Sequence, residues 1–152
     1  MARKIFKPLA ILFALVTILA VLIISKSKNS TKYATVEIGN ATVDAEIADT
    51  MAKQMRGLMF RQTMKEDEGM LFAFGKDDYY GIWMMNMSFP IDIIWIADDK
   101  VVDIAKDAQP CKMLCPTYVP KEKASYVLEV NSGFSEKHGI EIGTSVKFSQ
   151  LI

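Results

Sequence analysis

Residues 8–24 read PLAILFALVTILAVLII, a run in which Thr17 is the only polar side chain. As a helix this run spans roughly 25 Å, the short end of what a hydrocarbon core about 30 Å thick requires. A basic leader, residues 1–7 with Arg3, Lys4 and Lys7, precedes it. A secretory signal peptide opens the same way. The flank Ile23-Ile24-Ser25-Lys26-Ser27-Lys28 has no small-x-small cleavage site, and no lipid-accepting cysteine follows. The reading is an uncleaved transmembrane signal anchor at 8–24, against the alternatives of a cleaved signal and a buried helix.

Basic residues flank both ends, so the positive-inside count is tied between Arg3, Lys4, Lys7 and Lys26, Lys28, Lys32. The amino terminus adds one charge to the near side, and a short leader before an apolar run normally stays inside. Residues 33–152 are therefore expected outside the cytoplasm, on a single-pass protein of the cell membrane. Residues 25–32 (SKSKNSTK) read as a short solvated tether.

The net charge of zero over 152 residues averages two materials. Residues 1–32 hold six basic groups and no acid, whereas residues 33–152 hold 12 basic and 18 acidic groups, a net of −6. An acidic domain without a basic patch argues against nucleic acid as a partner. The expected partners are the membrane, through residues 8–24, and an envelope ligand or protein.

The exported part reads as one mainly β domain with two short helices. Residues 33–38 and 41–47 alternate apolar and polar about Gly39-Asn40, a hairpin signal. Residues 51–60 read as a helix capped by Asp49 or Thr50, with Met51, Met55, Leu58 and Met59 on one stripe that is expected to be core. Strands follow at 69–74, 79–85, 91–97, 101–105, 125–130 and 144–150. A proline-bounded loop covers 107–121, and a short helix at 132–139 ends on Gly139. Strands 69–74 and 91–97 are apolar on both faces and belong at the centre. The expected architecture is an antiparallel β-sandwich or barrel.

The motifs RGLMFR (56–61), DEGMLFAF (67–74), WMMNMSFPIDIIWI (83–96), CxxxCP (111–116), YVLEVNSGF (126–134) and HGIEIG (138–143) stand in an order that resembles the domain-of-unknown-function family 192. The resemblance runs over residues 36–148. It implies a compact β-rich domain, often exported or membrane-anchored, and brings no catalytic activity with it. Two positions depart from the family pattern: Met85 replaces a Lys or Arg after Trp-Met, and Thr144 rather than Asp follows Gly143.

Cys111 and Cys115 are the only cysteines. An even count in an exported chain favours a disulfide; CxxxC is not the CxxC of oxidoreductases, and a zinc site would need ligands beyond His138, the only histidine. Eight of the ten methionines fall within residues 51–87. Met84 and Met87 beside Trp83 and Asn86 are candidates for Cu(I), which thioethers suit, although methionine more often fills irregular cores. Asp92, an acid inside IDIIWI, is either a carboxylate holding loop amides near 86–89 or pairing with Arg56 or Arg61, or a pocket acid of raised pKa. Arg56 and Arg61 either hold an anion or tie a helix end to a strand. Trp83, Asn86, Tyr118 and Glu129 are candidates to line a polar-aromatic cleft. A Ser-His-Asp site would have to use His138 before Gly139, and no phosphate-binding glycine loop is present. No metal and no cofactor is expected. The favoured reading is a binding or interaction domain that does not catalyse. The alternatives are an envelope carbohydrate enzyme using Asp92 and Glu129, and a Cu(I)-handling protein using Met84 and Met87.

Overall fold

The computed structural model describes residues 12–18 and 32–149. Residues 12–18 are helical (α1). Among the described residues no helix is long and apolar enough to cross a membrane. The expected span 8–24 reaches beyond the described residues on both sides, and the leader 1–7 and tether residues 25–31 lie wholly outside them.

Residues 32–149 form nine strands and two short helices: β1 (Tyr33–Ile38), β2 (Ala41–Ala48), α2 (Met51–Arg56), β3 (Glu68–Asp78), β4 (Ile82–Trp83), β5 (Ile91–Ala97), β6 (Lys100–Ala108), β7 (Thr117–Tyr118), β8 (Ala124–Asn131), α3 (Phe134–Lys137) and β9 (Val146–Ser149). Seven strands make one curled sheet in the order β6-β5-β8-β3-β2-β1-β9, and β4 pairs with β7 separately. The domain is thus mainly β, as expected. Of the two expected architectures the barrel holds in part, because one continuous main sheet curls on itself where a sandwich would have two layers. The sheet differs from the expected antiparallel one in being mixed, because β2 runs parallel to β3, pairing Ala45 with Gly69 and Ile47 with Leu71. A parallel pair cannot be joined by a tight turn, so residues 49–67 cross over from one strand to the next and carry α2.

The sheet curls until its two outer strands meet at one end. The Val101 amide donates to the Thr144 carbonyl at 2.9 Å, Gly143 donates to Val101 at 2.8 Å, and Val146 donates to Asp99 at 2.8 Å. Beyond these bonds β6 and β9 do not pair, so the structure is a half-barrel. Strand alternation sends side chains to opposite faces. The concave face gathers Val36, Val43, Leu71, Ile94, Leu128, Val101 and Val146 into one core. The convex face of β3, β5 and β8 carries a second cluster, with Phe72, Ile93, Trp95 and Val127, covered by Leu58, Ile82, Met84 and Met87.

Turn chemistry explains the register. Gly39 has φ 57° in the β1–β2 hairpin, and Asp98 and Asp99, with φ 47° and 56°, make the tight turn from β5 to β6. The expected helix 51–60 stops at Arg56, since Gly57 takes φ 49° and ψ −139°, a conformation open to glycine. The expected strand 79–85 reduces to Ile82–Trp83, and the helix 132–139 to Phe134–Lys137. The 107–121 loop contains β7, and Cys111 and Cys115 within it are disulfide-bonded, with Cα atoms 5.5 Å apart.

Candidate functional site

The crossover creates the site. Thr50 accepts a hydrogen bond from the Lys53 amide at 3.3 Å and caps α2. Gln54 Nε2 donates to the carbonyls of Ala48 (3.1 Å) and Ala73 (3.0 Å), which pins the helix to the end of β2 and the middle of β3. Leu58 then inserts into the convex cluster. None of the helix residues themselves is buried: Met51 is 77% exposed and Met55 65% exposed. The expectation that the methionine stripe fills the core therefore holds only for Leu58. A six-residue helix ended by glycine is too short to bury a face, and its thioethers stand instead over a cavity.

That cavity, about 260 Å³, lies between α2 and the convex face of the sheet. Its walls include Met51, Met55, Met59 and Met87, the rings of Phe72, Phe74 and Trp83, and the edge of Arg56. The Phe60 amide donates to the Asn86 carbonyl (3.0 Å), and the Asn86 amide donates to the Cys111 carbonyl (2.9 Å). Asn86 thereby joins the crossover, the 84–87 turn and the disulfide loop through its backbone. It does so at φ 57°, a left-handed conformation that asparagine tolerates.

Glu129 is the one acid in the cavity wall. It lies opposite Met70 on β3 and Ile93 on β5, facing the convex side. It is 4% exposed, and its Oε2 has no hydrogen-bond partner. Burial pushes its carboxyl up to about 8, against the opposing pull of the Arg61 guanidinium. At neutral pH Glu129 is therefore mostly a neutral acid that can donate a hydrogen bond into the cavity. Arg61 itself is ion-paired to Glu46.

Asp92 is buried too, but elsewhere. It pairs with Val130, whose side chain belongs to the concave core, so Asp92 and Glu129 face opposite sides of the sheet. Its Oδ1 accepts from the amides of Asp107 (3.0 Å) and Gly133 (3.3 Å), and its Oδ2 from the amide of Ser135 (2.8 Å). Asp92 is a carboxylate holding loop amides, as the structural alternative had it. The amides come from the end of β6 and the start of α3 rather than from residues 86–89, and neither Arg56 nor Arg61 is its partner. Two acids on opposite faces do not form the carboxylate pair of a glycosidase cleft.

Of the residues singled out in the sequence, Arg56, Trp83, Met87 and Glu129 line the cavity. Arg61 lines an adjoining depression. Met84 is fully buried in the convex cluster rather than in the cavity wall, and Tyr118 packs against that cluster, paired across the strands with Ile82. Sequence reasoning missed Met51, Met55, Met59 and Phe74 as lining residues. The signal was available in Gly57, which cuts the helix before its stripe can become a core face.

The sequence profile of the family DUF192, described as an uncharacterised ACR, matches residues 34–148. A UPF0127 protein of Pyrococcus furiosus is 26% identical over 115 residues, which cover 72% of this chain and 90% of that protein. Two crystal structures share the fold. One, a candidate transcription regulator of Sinorhizobium meliloti 1021, has a TM-score of 0.70 and 28% identity, covering 78% of this chain and 94% of its own. The other, a protein of unknown function from Novosphingobium aromaticivorans DSM 12444, has a TM-score of 0.69 and 34% identity over 76% of this chain and 83% of its own.

Proposed function

The chain belongs to the uncharacterised family DUF192, and on that footing we propose that it is a membrane-anchored, extracytoplasmic domain that binds a small, mostly apolar molecule and does not turn it over. The observation that carries the reading is Glu129: a buried carboxyl whose Oε2 has no hydrogen-bond partner, at the wall of a cavity built mostly from thioethers, aromatic rings and aliphatic side chains. Leaving such a group unpaired costs stability, and a ligand bearing one hydrogen-bond acceptor would satisfy it. Methionine suits the walls because its flexible side chain adapts to the shape it meets. The anchor at 8–24 and the placement of residues 33–152 outside the cytoplasm rest on the apolar run and its basic leader. The acidic balance of that part, −6, speaks against nucleic acid as a partner.

The test uses an aryl ketone, 4-phenylbutan-2-one, as probe. It should raise the melting temperature of the full chain at pH 6.5. Glu129→Leu and Met55→Glu should each abolish the rise. A rise that survives Met55→Glu places the ketone elsewhere and overturns the reading. Protease added to intact cells should remove residues 33–152; full protection would refute the topology.

One observation favours a second reading, Cu(I) binding. Met51, Met55, Met59 and Met87 all line the cavity beside Trp83 and Glu129, so the thioether set differs from the Met84 and Met87 pair that the sequence suggested. Titration with Cu(I) should then saturate at one equivalent and weaken in Met51→Leu/Met55→Leu. No binding tighter than micromolar removes this reading.

A further inference from the structure

Arg56 borders two depressions at once. On one side it edges the apolar cavity. On the other it lines a hollow of about 300 Å³ whose charged walls are Lys53, Arg56, Arg61 and Glu46. Glu46 is taken by Arg61, and Lys53 is taken by Asp49 at 3.3 Å and the Ile47 carbonyl at 3.2 Å. Arg56 has no ion-pair partner among the described residues. The hollow therefore carries a surplus of positive charge, and its unpaired cation stands where the apolar cavity begins. A neutral Glu129 does not offset it.

We propose that the ligand is a small amphiphilic anion, seated as a single molecule, with its apolar body against Met51, Met55 and the Phe72 and Phe74 rings and its carboxylate or other anionic group on Arg56. This rests on the binding reading given above and adds the charge of the ligand to it. Guanidinium suits the task because its fork of donors matches an oxyanion in two bonds. A cation would meet Arg56 at the cavity's edge, and an uncharged ligand would leave Arg56 in water. The site is half open, so the ion pair contributes a modest selectivity rather than the whole affinity.

The experiment titrates the full chain, labelled at its methionine methyl groups, with 4-phenylbutyrate and separately with 4-phenylbutanamide at pH 6.5, and follows the Met51 and Met55 methyl resonances. The two probes share one apolar body and differ in charge. The anion should bind about two- to fivefold more tightly than the amide. Arg56→Gln should bring the ratio to about one by weakening the anion more than the amide, without lowering the melting temperature. Equal binding of both probes by the parent chain, or an equal loss of both in Arg56→Gln, overturns the anion assignment and leaves the pocket standing. If neither probe moves the Met51 and Met55 methyl resonances, the pocket reading fails and this inference fails with it.

Discussion

Asp92 and Glu129 sit on neighbouring strands, one register step apart, and both are buried. On the concave side Asp92 is surrounded by donors: three backbone amides from two separate segments converge on it. On the convex side Glu129 has an oxygen that meets nothing. The concave face draws on all seven strands of the main sheet and seals itself. The convex face is roofed by one short helix and two loops, which leave a cavity. The difference teaches where stability resides and where a ligand is proposed to sit: a buried acid that is fully bonded joins the fold together, and a buried acid left unbonded marks a place that the chain does not fill by itself.

The largest effect should follow from breaking the satisfied side. Asp92→Ala leaves three amides without their acceptor, that of Ser135 fully buried, and should cost about 3 kcal/mol, measured by denaturant unfolding at pH 7. A loss below about 1 kcal/mol would erase the contrast, because Asp92 would then be as dispensable to the fold as Glu129.

The unsatisfied side should respond in the opposite sense. The folded-state pKa of Glu129 is raised from 4.5 to about 8. Between those values the unfolded chain has released the proton that the folded chain keeps, so stability falls as pH rises through that window and levels off above it. The fall from this one group amounts to about 2 kcal/mol between pH 6 and pH 8. Glu129→Gln should remove that part of the slope and should be more stable than the parent chain at pH 8, as read from melts across the pH range. An unchanged slope would mean that the carboxyl already ionises in the folded state.

A smaller effect should come from the disulfide. Cys111→Ser/Cys115→Ser opens a loop of sequence separation 4, and the chain-entropy cost of so small a loop is about 2 kcal/mol at most. Because Cys111 shares backbone bonds with Met84 and Asn86, amide exchange should rise in residues 84–87 and 107–121 and stay unchanged in β1 and β2. Uniform loosening of both faces would show that the two are not separable. The smallest effect on stability belongs to Met55→Glu, an exposed substitution expected to stay within about 0.5 kcal/mol while ending ligand binding; a clear loss of stability would make Met55 part of the core after all.

Much of the concave side could be read from residues alone. The alternation in 33–38 and 41–47, the Gly39-Asn40 turn and the doubly apolar run 91–97 correspond to β1, β2 and β5. The buried role of Asp92 followed from one acid in IDIIWI, although its partners did not, since they come from segments 15 to 43 residues away. The parallel pairing of β2 with β3 was not legible, because neither strand shows in its own composition which neighbour it takes. The convex side was harder. Strands of two residues such as β4 and β7 carry no periodicity. The stripe Met51, Met55, Leu58 and Met59 has the same spacing whether it faces a core or a cavity, and only the length of the helix decides. Glu129 could be placed on a face by its alternation with Leu128 and Val130, but the absence of a partner is a fact of three dimensions.

The crossover 49–67 joins two strands of the main sheet from outside it, with its ends held by the Gln54 bonds to β2 and β3 and by Asn131 Nδ2, which donates to the carbonyls of Met64 and Lys65. It supplies most of the cavity's roof and only one rung of the sheet, the Asp67 carbonyl that accepts from the Asp44 amide at 2.8 Å. Such a segment behaves as an interchangeable cartridge. A crossover of equal length that keeps Thr50, Gln54, Gly57 and Leu58 could be grafted in with different residues at 51, 55, 56 and 59, and the half-barrel would take on a differently lined cavity without a change of register.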